Sequence, residues 1–140
     1  MRTFLDSGVL LAAWRSETLA PPALSILSDD TREFVTSQLV RLELLPKPRF
    51  ERRPMEVRFY ENHFAETVAC EPLSEALGRE AEALAARYGL SGADALHVAA
   101  AIRQGAGEFY TSERPGKPLF RVKELRVISL HALPPSVGNP

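Results

Sequence analysis

The sequence predicts an α/β domain with a central, mostly parallel sheet of four to five short strands. Apolar segments of strand length alternate with segments of helical spacing, the order typical of βα units. The 140 residues are enough for one domain with a real core. One helical segment, residues 92–104, is apolar nearly all round, which is typical of a helix buried in the middle of a fold.

The first half of the chain predicts two strands and four helices. Strands are expected at residues 3–5 and 33–36, and helices at residues 8–14, 21–29, 38–45 and from residue 54 onward. Pro21 and Pro54 suit first helical turns, where a proline is tolerated. Ser37 is a candidate cap for the third helix, and Pro46 and Pro48 are expected to stop it.

The second half predicts an extended segment near residues 68–71, two helices and two strands. Residues 74–88 repeat apolar side chains at helical spacing, and Gly89 suits the C-terminal cap. Ser91 is expected to cap the apolar helix 92–104. The last strands are expected at residues 108–111 and 126–130. The domain is therefore expected to cover residues 1–131, and the Pro-rich residues 132–140 to form a disordered tail.

Charge and cysteine content exclude several classes of protein. The net charge of −1 and the pI of about 6.3 rule out binding of nucleic acid through overall positive charge, so such binding needs a local basic patch. The single cysteine, Cys70, excludes an internal disulfide framework. No segment predicts a signal peptide or a membrane span, so we expect a cytoplasmic protein.

Four acids follow predicted strands or begin the buried helix. Asp6 follows the first strand, and Glu113 follows the strand at 108–111; Glu43 lies on the helix after the second strand, and Asp94 in the first turn of the apolar helix. Ligands of open parallel sheets bind at the carboxyl ends of the strands. Each acid alone also has an ordinary explanation as a cap, turn or surface charge, and Asp94 in particular could complete a cap with Ser91.

Four carboxylates at one edge of a sheet predict a cation site. Their mutual repulsion raises their pKa values unless cations intervene. An oxygen-only ligand set suits Mg²⁺ or Mn²⁺. Such ions activate water and neutralise charge on a phosphodiester, so the acids point towards nuclease chemistry.

Four segments resemble the acidic motifs of PIN domains, in the family's order and with similar spacing over nearly the whole chain. They are residues 4–11 (FLDSGVLL), 37–44 (SQLVRLEL), 90–101 (LSGADALHVAAA) and 109–113 (FYTSE). The resemblance implies a three-layer α/β/α fold, a divalent metal bound by Asp6, Glu43, Asp94 and Glu113, and cleavage of RNA. Small stand-alone members of the family are often VapC-type toxins, which are often dimers and are neutralised by a partner antitoxin. The family most often has aspartate where this chain has Glu113.

Several further residues surround these motifs. Ser7, Thr111 and Ser112 are candidates for orienting a carboxylate or a metal-bound water. His97 lies one turn from Asp94, although a histidine on such a helix is more often a satisfied interior residue. Basic residues follow Glu43 and Glu113, and either hold RNA phosphates or form solvated loops. The candidates for RNA binding are Arg49, Arg52, Arg53, Arg114 and Lys117.

The sequence leaves other interpretations open. The leading one is a metal-dependent endoribonuclease, the toxin of a toxin–antitoxin pair. A housekeeping RNA-processing enzyme and an RNA-binding protein with weak or no nuclease activity fit the same motifs, and Glu113 is the feature that keeps the second of these open. The four acids could also belong to an unrelated α/β domain in which they never meet. Apolar residues between Phe59 and Val68 serve either the domain's own core, a dimer surface or a groove for an antitoxin helix.

Overall fold

The computed structural model describes residues 1–134 of the chain. Five short parallel strands form one sheet in the order β3-β2-β1-β4-β5. The strands are β1 (Arg2–Leu5), β2 (Glu33–Ser37), β3 (Ala69–Glu71), β4 (Glu108–Thr111) and β5 (Arg126–Ser129). The predicted parallel α/β architecture is therefore confirmed. The predicted disordered tail falls mostly outside the described residues.

Seven α-helices connect and cover the strands in the described part of the chain. They are α1 (Ser7–Arg15), α2 (Ala20–Leu27), α3 (Gln38–Leu44), α4 (Pro46–Phe50), α5 (Pro54–Glu66), α6 (Glu75–Tyr88) and α7 (Gly92–Arg103). Two 3₁₀ turns, Pro118–Arg121 and Leu130–Ala132, flank β5. No helix within these residues combines the length and the apolarity needed to cross a bilayer.

Helices pack on both faces of the sheet. Phe34 is paired in register with Thr3, and therefore projects to the face opposite Phe4. The Phe34 ring meets His63 of α5, whereas the Phe4 ring stacks on Phe109 and lies 6.2 Å from the ring of His97 on α7. Helices α5 and α7 are thus on opposite faces, which gives the three layers implied by the family resemblance.

Helix α7 is buried nearly all round, as its composition predicts. Its fully buried side chains are Ala95, Val98, Ala99, Ala100 and Ala101. Small alanine side chains let the helix approach both the sheet and α6 closely. The first turn of α7, which carries Asp94, is thereby held firmly beside the sheet.

One helix boundary differs from the prediction. Pro46 and Pro48 end α3 as expected, but they also lie in the first turn of a further short helix, α4. Proline is tolerated there because the first-turn amides have no helical partner in any case. The two prolines therefore turn the chain from one helix directly into the next.

The strand register brings the carboxyl ends of the strands to one edge of the sheet. Leu5 pairs with Tyr110, and Ser37 pairs with Glu71, so β1, β2, β3 and β4 all end at similar height. The residues that follow these strands, including Asp6 after β1, must lie along this edge. The candidate site is built there.

Candidate functional site

Asp6 is the buried acid at the centre of the edge. It follows β1 and caps α1, because its carboxylate accepts a hydrogen bond from the amide of Val9 at 3.1 Å. Its side chain is almost inaccessible, and this burial raises its pKa from 3.8 to about 6. Hydrogen bonding to Thr111 and the proximity of His97 lower the pKa, whereas the Asp94 carboxylate raises it. Asp6 and Asp94 therefore repel each other across the site.

Asp94 lies in the first turn of α7, where Ser91 caps the helix. The amide of Asp94 donates to the Ser91 hydroxyl at 3.2 Å, so the capping predicted for Ser91 is confirmed. This cap uses the backbone amide of Asp94 and leaves its carboxylate free for another role. The carboxylate lies close enough to Asp6 to raise the pKa of Asp6. The structure thus brings Asp6 and Asp94 together.

Glu43 lies on α3, at the mouth of the site, with one of its oxygens held by two donors. Ser7 donates its hydroxyl to Oε1 of Glu43, and Nε2 of His97 lies 2.8 Å from the same oxygen. The bond to His97, and secondly that to Ser7, lower the pKa of Glu43 below its usual value. Glu43 is therefore ionised at neutral pH. Because Ser7 directly follows Asp6, this contact links α3 to the central acid.

Thr111, Ser112 and Glu113 end β4 beside Asp6. The buried Thr111 hydroxyl accepts from the amide of Glu113 at 3.1 Å, in addition to its contact with Asp6. Ser112 lies so close to Gly8 that a Cβ at Gly8 would meet its hydroxyl oxygen, which explains the glycine at this position. The carbonyl of Glu113 accepts a hydrogen bond from Ser129 of β5 at 2.6 Å, while its own side chain is exposed. The backbone of Glu113 is thus fixed and its carboxylate faces solvent.

The charge balance at this edge is negative. Among residues 1–134, no arginine, lysine or histidine forms an ion pair with Asp6, Asp94 or Glu113, and the only such pair at the site joins His97 to Glu43. Oxygen donors with uncompensated charge suit a hard divalent cation, so the donor chemistry fits. In the same described residues, however, no three His, Cys, Asp or Glu side chains are positioned to hold a metal as they stand. Of the four acids, Asp6 is buried, Asp94 is partly buried, and Glu43 and Glu113 are exposed.

The basic residues predicted to bind RNA differ in how far their charge is neutralised. Arg49 pairs with Glu61 at 3.0 Å, and Arg53 lies within 3.7 Å of both Glu51 and Glu56. Arg52 occupies the turn between α4 and α5 with a positive φ of 55°. Arg114 and Lys117 are exposed in the loop after β4, and neither forms an ion pair within the described residues.

A buried ion cluster beside the site was not predicted from the sequence. Glu56 of α5 is only 2% exposed, and it accepts hydrogen bonds from Arg15 at 3.1 Å and from the Tyr60 hydroxyl at 2.7 Å. These three residues line a cleft of about 290 Å³ that reaches Ser7 and Glu43. The i, i+4 spacing of Glu56 and Tyr60 among apolar residues was the available signal.

Comparison with known protein families identifies the family of this chain. The sequence model of the PIN domain matches residues 3–114, which carry all four motifs. The chain belongs to the PIN domain family. No curated protein matches the sequence.

Solved structures show the same PIN fold at low sequence identity. VapBC2 from Rickettsia felis, bound to a DNA fragment from its promoter, is 14% identical with a TM-score of 0.68, covering 92% of this chain and 98% of that one. VapBC-1 from nontypeable Haemophilus influenzae is 16% identical with a TM-score of 0.67, covering 94% and 99%. VapC20 from Mycobacterium tuberculosis, a toxin that cleaves the sarcin-ricin loop, is 17% identical with a TM-score of 0.64, covering 89% and 98%. The PIN domain of this chain therefore corresponds to nearly the whole length of each of these chains.

Proposed function

We propose that this PIN domain is a metal-dependent endoribonuclease and the toxin of a toxin–antitoxin pair. The observation that carries the proposal is the Asp6 carboxylate, buried at the carboxyl edge of the sheet beside the partly buried Asp94, with no ion pair to either acid within residues 1–134. A buried carboxylate without a cationic partner lowers the stability of the fold, so its presence calls for a functional explanation. Binding a divalent cation is such a role.

Structural neighbours support the biological part of the proposal. VapC20 is a toxin that cleaves the sarcin-ricin loop, and the VapBC proteins and a toxin–antitoxin complex from Klebsiella pneumoniae share the fold. By analogy, we propose RNA as the substrate, a cognate antitoxin as the partner and a homodimer as the assembly. Within residues 59–68, Tyr60, His63 and Phe64 are buried in the domain's own core, so they are not available as a partner surface.

Each residue of the site has a distinct part in the proposed reaction. Asp6 and Asp94 would hold Mg²⁺ or Mn²⁺, with Glu43 and the exposed Glu113 completing the set of acids. The bound cation supplies activation of a water molecule and neutralisation of charge on the phosphodiester. Thr111 orients Asp6 by hydrogen bonding, and Ser112 packs beside Gly8 and keeps the β4 end close to Asp6. Arg114 and Lys117 would attract the RNA backbone towards this edge.

The test is cleavage of a labelled structured RNA by the wild-type protein with Mg²⁺, Mn²⁺ or EDTA. We expect cleavage with either metal, none with EDTA, and none by Asp94→Asn, because the amide keeps the shape of the side chain and removes its charge. Asp30→Asn, a change at an exposed turn remote from the site, is the matched control and should cleave normally.

Two outcomes would contradict the proposal. Cleavage that survives EDTA or the Asp94→Asn change would show that the activity does not depend on this pair. RNA binding without cleavage, under all three metal conditions, would instead support the alternative of an RNA-binding protein with a weak catalytic site. The exposed position of Glu113 and the incomplete ligand set favour that alternative over other non-enzymatic roles.

The basic loops give a separate prediction about RNA affinity. Replacing Arg114 and Lys117 by alanine should weaken RNA binding for all sequences and reduce its salt dependence, by about 0.7 in the log–log slope for each single-strand phosphate that is no longer neutralised. Arg49→Ala should have a smaller effect, since Glu61 already neutralises this charge. Fluorescence anisotropy over a salt series measures both quantities. Equal effects of Arg49→Ala and of the double variant would mean that ion pairing does not decide which residues bind RNA.

A further inference from the structure

We propose that His97 is a positioning residue that, together with Ser7, fixes one oxygen of Glu43 and leaves the other available to a cation. The inference rests on the proposed metal-dependent function, and adds a residue outside the four acids. Its basis is a single shared acceptor: Oε1 of Glu43 accepts from the Ser7 hydroxyl and lies 2.8 Å from Nε2 of His97. Oε2 of Glu43 has no hydrogen-bond partner among the described residues.

The contact with Glu43 determines which ring nitrogen of His97 acts as the donor. An ionised carboxylate oxygen only accepts, so Nε2 of His97 must carry the proton in this bond. The other ring nitrogen, Nδ1, is buried and has no partner within residues 1–134. The imidazole therefore makes its one polar contact with Glu43, through the N–H at Nε2.

Packing alone does not explain a histidine at this position. His97 is 5% exposed, beside the Phe4 ring, on a helix whose other buried side chains are alanine and valine. An apolar side chain would fill this space without leaving Nδ1 unpaired, and an unpaired buried polar atom costs about 1–3 kcal/mol. What the imidazole offers over an apolar residue is the donor at Nε2.

These two hydrogen bonds fix the orientation of the Glu43 carboxylate. Glu43 lies on α3 with its side chain about one-third exposed, so without restraints it could adopt several rotamers. Two donors from two other elements, α1 and α7, hold it at the mouth of the site. Residues that orient ligands in this way typically contribute about 10–100-fold to metal affinity or activity.

The test compares two replacements of His97 of similar size. His97→Gln places an amide N–H near the position of Nε2, whereas His97→Leu offers no donor. We expect His97→Leu to weaken Mn²⁺ binding, measured by calorimetry, by about 10–100-fold, and His97→Gln to recover most of the affinity. Ser7→Ala should weaken binding in the same direction without any change in the core. His63→Leu replaces another buried histidine, which packs against Phe34 and Phe64 and makes no hydrogen bond to Glu43, and it should bind Mn²⁺ like the wild type.

The outcomes separate this inference from the proposed function. Unchanged Mn²⁺ affinity in His97→Leu, or equal reductions in folded His97→Leu and His97→Gln, would overturn it. If the wild type binds Mn²⁺ but cleaves no RNA, the nuclease proposal fails while the affinity series still tests the positioning. The ¹⁵N NMR spectrum of the metal-free protein tests it without metal or RNA: His97 must show hydrogen on Nε2, with a resonance that shifts in Glu43→Gln. A ring with hydrogen on Nδ1 but not on Nε2 would overturn the inference.

Discussion

Replacing Asp6 by asparagine is expected to abolish RNA cleavage and, at the same time, to stabilise the metal-free protein. Activity is lost because the central acid no longer carries charge; we expect a fall in kcat/KM of about 10³-fold or more, equivalent to about 4 kcal/mol. Stability rises because the charge is unfavourable in the folded state, where burial raises the pKa of Asp6 to about 6. Asparagine keeps the cap on α1, since it accepts from the Val9 amide as well as aspartate does.

The pH dependence gives the size of the stabilisation. The folded state holds the Asp6 proton up to a pKa of about 6, whereas the unfolded chain releases it at about 3.8. The stability contributed by this proton is therefore complete below pH 3.8 and is lost as the pH rises through 6. About two pKa units correspond to about 3 kcal/mol, which Asp6→Asn should recover at pH 7 in EDTA.

Urea unfolding with EDTA and with Mg²⁺ measures both effects. Mg²⁺ should stabilise the wild type, because a ligand of the folded state raises its unfolding free energy, and should leave Asp6→Asn unchanged. Asp30→Asn serves again as the exposed control. If the variant is inactive but less stable than the wild type in EDTA, the Asp6 carboxylate stabilises the fold, and its buried charge does not lower the unfolding free energy.

Replacing His63 by leucine is expected to make the protein more resistant to unfolding by acid. Between pH 7 and pH 4 the wild type should lose about 3 kcal/mol more unfolding free energy than the variant. His63 of α5 is packed against Phe34 and Phe64, and neither ring nitrogen has a partner within the described residues. Burial lowers its pKa to about 4, so the folded state excludes a proton that the unfolded chain accepts at about 6.5. The resulting stability is complete above pH 6.5 and is lost as the pH falls towards 4.

Unfolding free energies of wild type and His63→Leu, measured from pH 7.5 to pH 4, test this prediction. Other acids titrate in both proteins, so the difference between the two curves isolates His63. The curves should separate below pH 6.5, with leucine the more stable. Parallel curves would mean that His63 is protonated in the folded state or finds a partner on acidification. RNA cleavage at pH 7.5 should be unaffected, since His63 contacts no acid of the site.

Local sequence patterns were sufficient for most of the fold. The caps at Ser37 and Ser91, the left-handed Gly89 and the apolar α7 each depend on neighbouring residues, and each is found as predicted. Helix α4 was missed because proline was interpreted only as a stop. The 3₁₀ turn at Pro118–Arg121 was missed because four residues are too few to show a period.

The site was harder to predict because its contacts join distant parts of the chain. The order of acids along the sequence indicates which strand ends carry them, and strand register then brings Asp6 close to Thr111. The bond from His97 to Glu43 spans 54 residues and depends on how α3 and α7 cross, which no local pattern encodes. The same holds for Arg15 and Glu56, 41 residues apart.

The hydrogen bond from Ser129 to the Glu113 carbonyl bears on how short an active fragment of this protein can be. A fragment ending near Arg114 would retain all four acids and the whole matched family region. It would lack β5, however, and so lack both the bond that fixes Glu113 and the strand that pairs with β4. The exposed edge of β4 would then be free to pair with other chains, and such edges promote aggregation. The functional unit is therefore longer than the stretch that carries its chemistry.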